Sequence, residues 1–309
     1  MTEEQRDLAQ EKREKRKRVK RMKTFIVTFL SVWIMLSILL TTVLCIKVYS
    51  LQKQIDKLAE SVENAAATAT AVSDTDQGSV RVEPVTEAIA KENLAEEGDV
   101  HKVYLTFDDG PSDNTDAILE ILNEYNVKAT FFVVGKEDQE SRDRMKRIVD
   151  EGHTIGMHSY AHKYSEIYSS LENFSTDVEK MQNLIEDATG VRCMIYRFPG
   201  SSSNMISNTD MTDYIRYLNE QGIAYYDWNV SSGDSTSQVY TADELVENVM
   251  NDVVKYKTSV VLLHDSEGKE TTVEALSSLI ERLQEINAEI LPITDDTVRI
   301  QYMTVSANN

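Results

Sequence analysis

Two histidines separated by three residues, His158 and His162 in HSYAH, offer imidazoles that one helical turn would place on a single side. A carboxylate from another strand would complete a His, His, Asp set around a divalent cation, leaving positions for water and substrate. The pair Asp108–Asp109 in TFDDGPS can supply it. Adjacent side chains of an extended segment point to opposite faces, so one Asp is suited to be a ligand and the other a base. A bound divalent cation lowers the pKa of its water and polarises a carbonyl oxygen. The second Asp can take the water's proton, and a histidine on the far side can protonate the leaving group. These are the parts for metal-assisted hydrolysis of an amide or ester. Two His and one carboxylate also suit non-haem iron, but an Asp beside the ligand and an acid His favour hydrolysis.

Each piece alone is common. HxxxH arises by chance, Asp-Asp-Gly often forms a solvated turn, Arg197 in RFPG can be a structural ion-pair residue, and His264 after VVLL can be a core histidine. What gives them weight is the elements that must position them. Val103–Phe107, Ala129–Val134, Thr154–Met157, Met194–Phe198, Ala224–Asn229, Ser259–Leu263 and Glu289–Ile293 read as strands. Helical patterns lie between them, at 117–125, 142–151, 171–187, 210–221, 242–256 and 272–286. Such alternation predicts an α/β fold with a parallel sheet or barrel, whose chemistry sits at the C-terminal strand ends. The polar motifs fall at those ends.

In this order, TFDDGPS, HSYAH, RFPG, DWNVSSGD (Asp227–Asp234) and LLHD resemble the polysaccharide deacetylases, carbohydrate esterases with the NodB homology domain. The resemblance covers about residues 100–303 and implies a deformed (β/α) barrel of about seven strands. It implies Asp109, His158 and His162 as ligands of a divalent metal, zinc above all, with cobalt or another divalent ion as substitutes. Asp108 would be the base, His264 the acid, and Arg197 the residue that holds the base. The N–H of Gly200, after Pro199, would help stabilise the oxyanion. Leu262 would line the acetyl pocket, and Trp228 is a candidate for the substrate groove. Two departures stand out. Gly200 occupies a position that is often Tyr, which suggests a freer loop. Ser231 occupies a position that is often the Asp tuning the acid His. Asp234, Asp227 or Asp265 can substitute; without such a partner His264 would be the weaker acid, and activity reduced or differently tuned. Tyr160, Tyr164 and Tyr168 read as packing or surface residues, and His101 and His153 as structural.

The net charge of −20 argues against nucleic acid as a partner. That average hides an asymmetry, since residues 1–23 hold ten basic and five acidic residues. The uncharged stretch Thr24–Ile46 follows, long enough at roughly 34 Å to cross a bilayer. The expectation is a cytoplasmic basic tail (1–23), a transmembrane helix (24–46), an extracellular stalk or linker (47–99) and a deacetylase domain (100–309). The apolar stripe Leu51, Ile55, Leu58 and Val62 allows a stalk-mediated dimer. The expected function is N-deacetylation of a cell-envelope polysaccharide, with peptidoglycan amino sugars foremost. O-acetyl esterase action, chitooligosaccharide deacetylation, and a membrane-bound glycan-binding protein with a decayed site are the alternatives.

Overall fold

The computed structural model describes residues 93–305, apart from 97, 208 and 209. The expected tail, the expected span Thr24–Ile46 and most of the expected stalk lie outside these residues. Among the described residues no helix is long and apolar enough to cross a membrane.

The described chain alternates strand and helix. The strands are β1 (Lys102–Asp108), β2 (Thr130–Val134), β3 (Thr154–Ser159), β4 (Ile195–Tyr196), β5 (Ala224–Tyr225), β6 (Val230–Ser231), β7 (Thr258–His264) and β8 (Glu289–Ile290). The helices are α1 (Asp113–Glu124), α2 (Gln139–Asp150), α3 (Tyr164–Ile167), α4 (Leu171–Thr189), α5 (Met211–Glu220), α6 (Ala242–Val253) and α7 (Glu270–Glu285). The strands run in the order β5-β4-β3-β2-β1-β7-β6, with β8 added to β1, and every pairing is parallel. The sheet curls into an open half-barrel, in line with the expected (β/α) barrel.

Alternation along the strands sorts side chains into two cores. Val103, Leu105 and Phe107 of β1 face outward with Phe131, Val133, Val261 and Leu263 and pack beneath the helices. Tyr104, Phe132 and Val260 face inward and fill the concave side with Tyr226, Ile293 and Ile300. Both faces of β1 and β7 are therefore covered, which is why their sequences are nearly unbroken apolar runs. Helix α4 shows how a helix fits this plan. Ser170 caps it, Phe174, Val178, Met181 and Ile185 form its buried stripe, and Gly190 ends it at φ 77°.

The expected strand Ala224–Asn229 divides differently. β5 stops at Tyr225, the carboxylate of Asp227 accepts from Ser202 N, Ser202 Oγ and Tyr302 N, and β6 pairs with Val261–Leu262 of β7. One short run thus supplies both edges of the open sheet. Asn229 seals the second edge by bonding Thr258 O and Val260 N with its side-chain amide.

Candidate active site

β1 and β7 carry the centre of the site. Asp108 and His264 are register partners at the ends of the two strands, both on the inward face. Asp108 is buried, and its Oδ1 accepts from Arg197 Nη1 at 2.9 Å. Arg197 follows β4 and is wholly buried. Its guanidinium also donates to Thr106 Oγ1, Tyr226 O and Asp227 O, and stacks 4.2 Å from the Phe132 ring centre. With four acceptors fixed on it, Arg197 can hold Asp108 in one orientation.

Asp109 leaves the strand in the left-handed region, at φ 73°, and so turns toward β3. His158 is the extra residue at a register shift between β2 and β3, the kind of bulge that re-aims a side chain. Its Nδ1 lies 2.9 Å from Arg197 O, and a carbonyl only accepts, so Nδ1 carries the hydrogen and the Nε2 lone pair faces the site. His158 Nε2 is 3.4 Å and His162 Nε2 3.0 Å from Asp109 Oδ1. That oxygen is buried and no N–H or O–H is aimed at it. One ligand atom from each of the three residues falls within 4.8 Å of the others. A divalent cation of nitrogen and oxygen preference fits this donor set.

The electrostatics agree with that fit at Asp109 and His158, while contact with Asp109 raises His162. Burial opposes charge on Asp109, but contact with His162 and the nearby His158 outweighs it and holds the carboxyl well below the ordinary range. Burial pushes His158 down, toward the neutral ligand form, despite the charges of Asp108 and Asp109.

The two imidazoles do not converge through a helical turn. His158 is in β3, whereas His162 lies in the following loop at φ 48°. The four-residue spacing works here because a strand end folds back, a geometry that the spacing alone does not distinguish from a helix.

His264 has a carboxylate behind it. Its Nδ1 lies 2.8 Å from Asp234 Oδ1, and its backbone N donates to Asp234 Oδ2 at 2.7 Å. Thr272 Oγ1 donates to the same Oδ2, and Lys269 Nζ holds Asp234 O. Burial pushes the His264 pKa down, but the bond to Asp234 and its charge, aided by Asp108 and Asp109, leave it raised. The concern raised by Ser231 is thereby corrected. Ser231 sits in β6, where its Oγ accepts from Gly233 N, and Asp234 three residues on supplies the charge. The residues Asp227 and Asp265 do not serve: the first binds Ser202 and Tyr302, the second Thr115.

The comparisons with known proteins fit this geometry. Residues 95–222 match the family model for polysaccharide deacetylase. The catalytic domain of a peptidoglycan N-acetylglucosamine deacetylase from Eubacterium rectale superposes with TM-score 0.61 at 36% identity, covering 72% of this chain and 100% of that one. This chain belongs to the polysaccharide deacetylase family. Among curated relatives, the Bacillus subtilis protein YheN, named for the same family, is 34% identical over 187 residues, 59% of this chain and 64% of that protein. A peptidoglycan-N-acetylglucosamine deacetylase of Bacillus cereus is 30% identical over 186 residues, 59% of this chain and 65% of its own length. The match thus spans just under two thirds of either relative.

The remaining expected residues of this deacetylase-family chain lie as follows. Leu262 is inward on β7, two residues before His264, and buried. Pro199 O accepts from the buried Tyr168 hydroxyl at 2.8 Å. Gly200 has φ 78°, and a Cβ there would lie 2.9 Å from the Tyr164 ring. The loop is therefore not freer for having glycine; glycine is what its conformation requires, and Tyr164 supplies the ring against it. Tyr164 also lies 6.4 Å, centre to centre, from His162, so the packing residue expected there borders the site.

Trp228 is not brought to the metal-ligand set. Asn229 is level with Val260, so Trp228 lies toward the N-terminal strand ends, against Tyr302 and 5.9 Å from the Arg197 guanidinium. An aromatic beside a motif Asp looks like a groove residue in sequence, but the split of β5 from β6 carries it below. Thr106 was not legible as a site residue, since it touches the site only through the Arg197 guanidinium.

Proposed function

We propose that this chain is a metal-dependent hydrolase that removes N-acetyl groups from a cell-envelope polysaccharide, with peptidoglycan amino sugars as the substrate class. The observation that carries this reading is one strand-end mouth holding three parts: the Asp109, His158, His162 set, the Asp108–Arg197 pair, and the His264–Asp234 pair. The peptidoglycan substrate is supported by the names of the relatives in Eubacterium rectale and Bacillus cereus.

Asp109, His158 and His162 would hold the cation, zinc by preference for two imidazoles and a carboxylate. When bound it supplies a more acidic water and a polarised acetyl carbonyl. Arg197 engages one oxygen of Asp108 and leaves the other to accept a proton from the attacking water. His264, charged with the help of Asp234, gives its proton to the departing sugar amine. The N–H of Gly200 is unengaged among the described residues and would donate to the developing oxyanion. Leu262 would meet the acetyl methyl. The basic run and the apolar stretch Thr24–Ile46 support a single-pass anchor with this domain outside the cell.

The test is acetate release from N-acetylated peptidoglycan by the full chain, stripped of metal and given zinc back. Release should require zinc and fall at least about 100-fold in Asp108→Asn. Zinc-independent release, or release undiminished in that variant, would sink the reading. Release only from O-acetylated polymer would replace it with an esterase.

A further inference from the structure

Helix α4 buries one residue that its amphipathic pattern does not call for. Asp177 lies on the stripe between Phe174, Val178 and Met181 and is 6% exposed. A buried carboxylate is costly unless paired or fully hydrogen-bonded. Among the described residues no Lys, Arg or His forms an ion pair with it. Its compensation comes from one place only, the loop between the two histidines. Asp177 Oδ1 accepts from Ser159 Oγ and Tyr160 N, both at 2.9 Å, and Oδ2 accepts from Ala161 N at 2.8 Å. Ser159 Oγ in turn accepts from His162 N at 2.8 Å. Three consecutive backbone N–H groups, at 160, 161 and 162, are thus held by one carboxylate and the hydroxyl it orients.

The Gly135 N–H holds the start of this loop at Ser159 O and Tyr160 O, but no ladder or helix reaches its second half, where His162 sits at φ 48°. Some external template must set where the second imidazole points. We infer that Asp177 is a positioning residue that sets His162 relative to His158 and Asp109, and so sets the affinity of the site for its divalent cation. The inference rests on the metal-site reading above. It concerns α4, which carries none of the three ligands.

Asp177→Asn keeps the size of the side chain but turns one oxygen into an N–H donor facing a backbone N–H. At the remaining oxygen it keeps one acceptor. Ser159→Ala removes the His162 N acceptor and one of the three donors to Asp177, and leaves the Tyr160 and Ala161 N–H bonds to the carboxylate in place. The measurement is the dissociation constant of the full chain for zinc alone, by competition with a chromogenic chelator. Asp177→Asn should weaken zinc binding 10- to 100-fold, the scale of outer partners of metal ligands, and Ser159→Ala by less. Val178→Ala loosens the same helix face and should leave zinc affinity within about twofold, although it lowers the melting temperature of the metal-free chain. Zinc affinity unchanged in Asp177→Asn would overturn the inference, as would an equal weakening in Val178→Ala, which would mark general softening. If the wild-type chain binds no zinc, the metal-site reading fails first and the inference falls with it, an outcome distinct from either.

Discussion

As the proposed acid, the His264 imidazole must carry a proton while nearly buried, and two effects compete. Removal from water disfavours the cation, and the Asp234 carboxylate 2.8 Å away favours it. The second wins, so the raised pKa depends on Asp234. Asp234→Asn keeps an oxygen near Nδ1 but removes the charge. His264 would then lose its proton at lower pH. The alkaline limb of kcat should move toward acid, and kcat at neutral pH should fall by about 10- to 100-fold. Ser231→Asp should move neither limb, because the position is already served from Asp234. A pH–rate profile of the two variants decides between the residues. A shift in Ser231→Asp with none in Asp234→Asn would reverse the assignment. Asp227, Ser231 and Asp234 lie within one eight-residue run, and chain spacing there does not reveal which of these positions reaches His264. That depends on where β6 begins, a matter of pairing with β7 rather than of side-chain type.

The long central elements were legible because burial on both faces writes itself into the sequence. β1, β2 and β7 are near-continuous apolar runs, and α1, α4, α6 and α7 repeat their apolar positions at helical spacing. The metal set, Asp108, His264 and Arg197 were legible as types at strand ends. β4 and β5 fall within expected strands, but the early end of β5 and the separate strand β6 were not legible, since they are set by partners far along the chain: Ser202, Tyr302 and the edge of β7. Glycines of the mouth show the same dependence on neighbours. At Gly110 a Cβ would lie 2.2 Å from the Asp265 carboxylate, which Thr115 holds in place. At Gly200 it would lie 2.9 Å from the end of the half-buried Tyr164 ring, a side chain rather than a carboxylate held in place. Gly110→Ala should therefore cost about 1–3 kcal/mol by steric overpacking. Gly200→Ala should cost about 1 kcal/mol, chiefly for its positive φ. Denaturant unfolding of the metal-free chains ranks them, and the reverse order would show the β1–α1 turn to be the softer one.

At the scale of the whole domain, two buried groups on different elements oppose each other in their response to pH. His153, before β3, is 5% exposed, takes the Ala129 N–H on Nδ1 and meets Phe131 edge-on. Burial, with Lys128 and Arg147 nearby, pushes it down to about 4. Asp265, after β7, is pushed up to about 7 by burial, the charges of Asp109 and Asp108 adding to it. Between pH 4 and 6.5 the folded metal-free chain keeps His153 neutral and Asp265 protonated. The unfolded chain does the opposite, with His153 protonated and Asp265 ionised. Each state then holds one proton across the two groups, so their combined contribution to the slope of stability with pH is near zero. Removing one group exposes the other. In Asp265→Asn, the depressed His153 remains, and stability should fall on acidification from about pH 6.5 to 4 by up to about 1.4 kcal/mol per pH unit. In His153→Asn, the raised Asp265 remains, and stability should instead rise over that window by a similar slope. Urea unfolding of the metal-free chain at several pH values reads both slopes. Equal slopes in wild type and both variants would mean that neither group titrates as its burial requires. Opposite slopes would show that the site end and the far end of the barrel are matched in their proton demand, although no contact joins His153 to Asp265.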